Sequence, residues 1–238
     1  MLLEVNNITK AFGGLLALNH LSFHIEEGEI LGLIGPNGAG KTTAFNVISG
    51  FHKPDSGLIR FMGKNISGHN ASEICREGIA RTFQQVKTFP TLTGSDNVVC
   101  GAFCRTSNLE EAKREASRTI AWIGLDKERD TVVKELTLAE RKLVEIGRAV
   151  ATKPKLLLLD EVVAGLNPTE VDRMIGLVKE INKSGITLIV VEHVMKVVMS
   201  VSDRIVVLDQ GAKVAEGTPQ EVSENKEVIK VYLGEAYA

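Results

Sequence analysis

Gly35, Gly40, Lys41 and Thr42, in the stretch GPNGAGKT, keep the spacing G-x-x-x-x-G-K-[ST]. Glycines let successive backbone N–H groups turn toward a polyanion. The N-terminus of a following helix adds favourable partial charge, and Lys41 adds a full one. Pro36, Asn37, Gly38, Ala39 and Thr43 complete the loop. The ligand this chemistry suits is a nucleotide triphosphate, with the Thr42 hydroxyl placed for its Mg2+. A strand-like EILGLIG precedes the loop, and KTTAFNVISG, with Gly50 as terminator, follows it. That strand, loop and helix setting separates the motif from a chance glycine-rich turn.

Asp160 ends the apolar run LLLLD at the carboxyl edge of a strand, where ligands collect, and is placed to hold magnesium through its waters. Glu161 follows directly. Two adjacent carboxylates repel unless a cation or a water takes up the charge, so Glu161 reads as the group that orients or activates an attacking water. A solvent-exposed acidic turn is the plainer alternative. His193 closes the next apolar strand, in VVEH, and Gln84 and Gln85 stand in RTFQQ; spacing alone does not separate function from a structural role at these positions.

The elements that must position these groups follow from periodicity. Residues 1–30 alternate apolar and polar side chains, as half-exposed strands do, and GLIRFMGKNI reads as two more short strands. From about Thr88 the texture is helical, polar and charged. NLEEAKREASRTIAWIGL there sets Glu110 and Arg114 four apart on a solvated face. Leu143, Ile146, Gly147 and Val150 recur at helical spacing before the buried strand KLLLLDE. Asn167, Pro168 and Glu170 supply an N-cap, a first-turn proline and an acidic third position. Val171, Met174, Ile175, Val178 and Ile181 form the buried stripe behind them, and Gly185 ends the helix. ITLIVVEH, a short helix and RIVVLDQG complete an alternation that predicts an α/β fold with a mainly parallel sheet covered on both faces.

Composition narrows the partners. At 238 residues, 44% hydrophobic and 24% charged, the chain can bury one good core. Its apolar runs are far shorter than the roughly 20 residues that cross a bilayer, and MLLEVNNITK lacks the pattern of a secretory signal. A net charge of −2 offers no basic field for a nucleic-acid backbone, so no nucleic acid is expected. Cys75, Cys100 and Cys104 are an odd number that fits a reducing compartment. They read as buried, inert thiols, with Cys100 and Cys104 as half a metal site in the alternative.

Taken in order, GPNGAGKTT, TFQQ, LTLAERKLVEIGRA, LLLLDE, AGLNP and VVEH resemble, over essentially the whole chain, the motifs of the ATP-binding subunit of an ABC transporter. The resemblance implies a P-loop NTPase with a mainly parallel core sheet, an antiparallel β subdomain and an inserted helical subdomain. It divides the single domain into a core lobe, about 1–85 and 153–238, and a helical lobe, about 86–152. By position it makes Gln84 the glutamine that contacts magnesium and water, and His193 the switch histidine at the γ-phosphate. Phe12, in KAFGG, becomes the aromatic that stacks on adenine, an ordinary strand Phe being the alternative. The D-loop is Ala164, Gly165, Leu166 and Asn167.

The segment LTLAERK departs from the family pattern L-S-G-G-Q. Thr137 keeps a hydroxyl, Leu138 and Ala139 replace both glycines, and Glu140 stands where glutamine is usual; Leu138 must point away from the phosphate. Val162 replaces the customary proline after Glu161, and Asn167 an aspartate. These changes bear on hydrolysis rate more than on nucleotide binding. The family mechanism clamps two ATP molecules between two chains head to tail, with Thr137 to Glu140 of one copy reaching the γ-phosphate held by the other.

Membrane permease subunits are then expected on the helical lobe near residues 86–100, with a solute-binding protein as an indirect partner and the chain peripheral on the cytoplasmic face of the membrane. AFGGLLALNHLSFHI, RTFQQVKTFPTLTGSDNV, AGLNPTEV and VIKVYLGEAYA look most like LivG-type subunits for branched-chain amino acid uptake. Subunits of urea, amide or lipopolysaccharide transporters, a soluble ABC ATPase, and a weakly active regulatory module are the alternatives.

Overall fold

The structure, a computed structural model, describes residues 1–233, Leu233 by its backbone alone; the end of VIKVYLGEAYA, from Gly234 on, lies outside the described residues. β1 (Leu3–Phe12) and β2 (Leu15–Ile25) form a hairpin that pairs Leu3 with Ile25 and Val5 with Phe23, all four buried. β3 (Ile30–Ile34) is buried throughout and leads through the glycine loop into α1 (Lys41–Ile48). β4 (Ser56–Phe61), β5 (Lys64–Asn65), α2 (Ala71–Glu77) and β6 (Ile79–Arg81) follow. Then come α3 (Gly94–Ala102), α4 (Leu109–Ile123), a 3-10 turn at Val133–Glu135 and α5 (Leu138–Ala151). β7 (Leu156–Asp160), α6 (Pro168–Lys183), β8 (Thr187–Val191), α7 (Met195–Val201) and β9 (Arg204–Asp209) resume the alternation. β10 (Ala212–Gly217), α8 (Pro219–Glu224) and α9 (Lys226–Leu233) end it.

Two sheets result. One is antiparallel in the order β2-β1-β4-β5; the other runs β10-β9-β3-β8-β7-β6, parallel except for the antiparallel edge strand β10. The central strands β3, β8 and β7 carry no exposed side chain, which is why their sequences are continuous apolar runs rather than alternations. One core joins the antiparallel sheet, α1 and one face of the parallel sheet. A second joins the other face to α5, α6 and the helices α3 and α4. Because β3, β7 and β8 are neighbours and parallel, the glycine loop, Asp160 and the segment after Val191 all emerge at one sheet edge.

Caps set the helix starts. Asn167 and Glu170 form a reciprocal capping box at α6, with Pro168 in the first turn, as the sequence predicts. The buried stripe differs slightly: Met174, Leu177, Val178 and Ile181 are buried, whereas Val171 and Ile175 pack at its half-buried margin. On α4, Glu110 pairs with Lys113 at 3.4 Å, while Arg114 donates to the Glu110 backbone carbonyl instead of its carboxylate.

The helices of the inserted segment approach closely. A methyl added to Gly101 of α3 would stand 2.1 Å from the Arg148 carbonyl oxygen of α5. Gly101→Ala should therefore force the helices apart and destabilise the fold by about 1–3 kcal/mol; an unchanged thermal melt would contradict this packing.

The cysteine expectation needs correction. Cys100 is exposed and Cys75 and Cys104 are half-buried. The sulfur beside Cys104 belongs to Cys75, at 3.5 Å, because α2 lies against the turn that follows α3. Burial pushes the Cys75 thiol up to about 11.

Candidate functional site

The glycine loop is shaped by contacts that exclude side chains. Gly40 has φ +101°, and a Cβ there would meet the Ala17 carbonyl oxygen at 2.6 Å; a Cβ on Gly35 would meet that of Leu208 at 2.2 Å. No side chain caps α1, so its first-turn N–H groups remain available to an anion. Lys41, 5% exposed, donates to the carbonyl oxygens of Gly35 at 2.8 Å and Pro36 at 2.9 Å. Burial lowers its pKa, and the charges of Glu161 and Asp160 work against that shift.

A cavity of about 780 Å³ opens above the loop. Asn37, Gly38, Ala39, Gly40, Lys41, Thr42 and Thr43 form its floor, and Phe12, Gln84, Glu161 and His193 stand on its walls. Phe12, 42% exposed, lines the cavity, meets the His52 ring edge-on at 5.1 Å and carries Lys10 Nζ over its ring at 5.4 Å from the centre.

Gln84, Glu161 and His193, up to 109 positions apart in the chain, converge there. Gln84 Nε2 donates to both Glu161 carboxylate oxygens at 3.2 Å, and His193 Nε2 lies 2.8 Å from Oε1. Glu161 has φ +50°, a left-handed conformation unusual for a residue with a Cβ. Its N–H donates to the Val191 carbonyl at 2.9 Å, and its own carbonyl accepts Lys142 Nζ at 2.7 Å. The carboxylate is thus aimed by backbone bonds made behind it.

Asp160 is 2% exposed and accepts from Arg81 Nη2 at 3.2 Å. Burial raises its pKa, chiefly against the opposing Arg81 charge. Arg81 went unnoticed in the sequence. Its guanidinium also donates to Asn46 and Ser49 and lies 4.5 Å from the Phe83 ring centre. An arginine three residues before Gln84 was the available signal.

Glu192 and Lys142 were missed as well. Glu192, 3% exposed, accepts the Val163 N–H at 2.9 Å, and burial pushes its carboxyl up to about 7 despite that bond and the Lys142 charge; Glu161 adds to the rise. From its ordinary value of 4.5 to about 7, the folded chain retains a proton that the unfolded chain releases. Stability is therefore lost as pH rises through that window, by on the order of 3 kcal/mol. Glu192→Gln should flatten this dependence in chemical denaturation between about pH 5 and pH 8; parallel curves for variant and parent would rule the effect out.

Thr137, Leu138, Ala139 and Glu140 do not line the cavity of their own chain. Thr137 Oγ1 accepts the Glu140 N–H at 3.3 Å, and Glu140 accepts the Thr137 N–H at 2.7 Å, a capping box that starts α5. The glutamate that departs from L-S-G-G-Q thus keeps the capping bond that a glutamine there could also make. Leu138, 45% exposed, reaches toward Gly165, whose added Cβ would lie 2.9 Å from Leu138 Cδ2. Leu138, Ala164, Gln84 and Gln85 line a neighbouring pocket of about 560 Å³. Leu166 packs half-buried against the core, Asn167 is engaged in capping α6, and Val162 is buried.

Residues 18–164 match the ABC transporter family, and residues 212–238 match a segment described as branched-chain amino acid ATP-binding cassette transporter. The high-affinity branched-chain amino acid transport ATP-binding protein LivG of Salmonella typhimurium is 41% identical, over 99% of this chain and 98% of its own. The crystal structure of the ADP conformation of MJ1267, an ATP-binding cassette of an ABC transporter, superposes with a TM-score of 0.88 at 33% identity, covering 98% of this chain and 99% of that one. The dimeric post-hydrolysis structure of the cassette MJ0796, bound to ADP and Pi, superposes at 0.83 with 26% identity, over 91% and 98%.

Proposed function

The chain belongs to the ABC transporter ATP-binding family, and from that membership we propose that it is the ATP-hydrolysing subunit of a transporter for branched-chain amino acids. The observation that carries the catalytic part is the convergence of Glu161, Gln84 and His193 over the glycine loop. Loop amides and the Lys41 ammonium hold the phosphates, Phe12 offers its ring to the base, and Glu161 takes up the proton of the attacking water. His193 holds that carboxylate from one side and reaches the terminal phosphate from the other.

Thr42, Asp160 and Gln84 fit Mg2+. They are hard oxygen donors, only one of them charged, a set that suits an ion shared with phosphates and waters. Bound there, the ion neutralises phosphate charge.

The separation of Thr137 to Glu140 from their own chain's cavity supports a second copy as the source of those contacts. Thr137 uses its oxygen to accept the Glu140 N–H, leaving the hydroxyl proton for a phosphate. No helix among the described residues is long and apolar enough to cross a membrane. Membership in the transporter family supports membrane-spanning partner subunits, with this chain bound on their cytoplasmic face. A cleft of about 360 Å³ lined by Phe51, Phe83, Phe89, Cys100 and Arg148 lies along the segment expected to receive them. The relatives' substrate and the match over residues 212–238 support branched-chain amino acids as cargo.

The test is calorimetry with MgATP on the purified chain, followed by phosphate release from the complex isolated with its membrane subunits, with and without leucine, isoleucine or valine and their binding protein. Saturable ATP binding and solute-stimulated turnover are expected. No ATP binding would overturn the ATPase reading, and turnover indifferent to these solutes the assigned cargo.

A further inference from the structure

We propose that Lys142 is a positioning residue for Glu161, a role that rests on the ATPase reading: its ammonium holds the Glu161 backbone carbonyl and so fixes the turn from which the carboxylate meets Gln84 and His193. Three observations converge on it. Glu161 occupies the left-handed region at φ +50° without being glycine, so surrounding bonds must hold it there. Its N–H is tied to Val191, and its carbonyl receives a 2.7 Å bond from Lys142 Nζ, so the peptide groups on both sides of Cα are fixed. Lys142 is 5% exposed, too buried for an ammonium without a specific partner.

The origin of that ammonium gives the contact its consequence. Lys142 stands on α5 within the first two turns after Thr137, the N-cap through which the segment Thr137 to Glu140 would engage a second copy. A shift of the start of α5 would move the ammonium against the Glu161 carbonyl. Proper aim of the carboxylate thereby becomes conditional on where α5 sits, and a chain whose α5 is displaced would hold ATP with its glutamate turned aside. The same ammonium faces the buried carboxylates of Glu192 and Glu145, and the charge of Asp160. A counter-ion role is therefore the competing explanation that the test must separate.

Lys142→Met, Lys142→Arg and the double variant Lys142→Met/Glu192→Gln of the full chain would be compared with the parent. The readouts are ATP affinity, steady-state kcat and KM, thermal stability, and hydrogen exchange of the backbone around residues 160–164. A positioning role predicts that Lys142→Met lowers kcat about tenfold or more, with ATP affinity within about twofold of the parent. Exchange at Glu161 should quicken, and Lys142→Arg should restore both rate and protection. The double variant should recover part of the stability, because no buried Glu192 carboxylate is left without its counter-charge, without recovering kcat or protection; it also keeps the test decisive if Lys142→Met folds poorly.

Parental kcat in the double variant, or parental exchange at Glu161 in Lys142→Met, would overturn the proposal. A parent chain that neither binds nor hydrolyses ATP would count against the ATPase reading instead, and the exchange result would still decide whether Lys142 fixes the Glu161 turn.

Discussion

Glu161→Gln should lower kcat for ATP hydrolysis by about 10²- to 10⁴-fold, the range expected for loss of a general base, while leaving ATP affinity nearly unchanged. The substitution keeps the length of the side chain and the left-handed backbone, which Val191 and Lys142 hold through main-chain atoms that the amide does not alter. What it removes is the capacity to accept a proton. It also sets an NH2 group against donors: Gln84 Nε2 reaches both Glu161 oxygens at 3.2 Å, so the amide accepts one of those bonds and must turn its nitrogen elsewhere. Because the phosphate contacts reside in the glycine loop, ATP still binds. With the chemical step blocked, a nucleotide-bound pair of chains should accumulate. Phosphate release and light scattering with ATP measure the two effects. A variant turning over at the parental rate would remove Glu161 from the chemistry, whatever its geometry.

The parts of the site legible in the sequence are those whose chemistry is local. Gly35 to Thr42 declare themselves because one loop supplies both the amides and the ammonium, and Asp160 and Glu161 because an apolar strand ends on them. Gln84 carries no such signature, and His193, though it too follows an apolar strand, is a lone histidine whose position alone does not mark a role. Their role depends on β7 and β8 being neighbours and on the chain after β6 lying across the same edge, and only the family resemblance singled them out. Arg81, Lys142 and Glu192 escaped because their partners are distant: Arg81 meets Asp160 across 79 positions, and Glu192 meets Val163 across 29. On periodicity alone, Lys142 is one more cation on an amphipathic helix.

Glu140 shows a different failure. Judged against the family pattern it is a lost glutamine, whereas locally it completes a capping box with Thr137, a role that either side chain can fill, so the exchange leaves the start of α5 intact. The alternation of strands and helices, by contrast, follows directly from apolar runs too continuous for exposed strands and from caps at their usual positions. That is why the parallel sheet was legible and the interlocking of buried charges was not.

Lys41→Ala should weaken ATP binding by about ten- to a hundredfold and take measurable hydrolysis with it, the loss expected for a buried charge-assisted bond. The geometry explains why the lysine serves and why arginine should not replace it. In this structure Nζ is held by the Gly35 and Pro36 carbonyl oxygens at 2.8 and 2.9 Å, inside a loop drawn tight enough that neither Gly35 nor Gly40 has room for a methyl group. An ammonium fits that space as a point charge and can exchange a carbonyl oxygen for a phosphate oxygen by a small rotation. A planar guanidinium would have to spread the loop. Removing the charge has a second effect: Asp160, whose pKa burial already raises, loses a nearby cation that favours its ionised form. Calorimetry with ATP should therefore show Lys41→Arg closer to Lys41→Ala than to the parent. Parental affinity in the arginine variant would mean that the loop tolerates a bulkier cation and that charge, rather than the fit of the ammonium, governs binding.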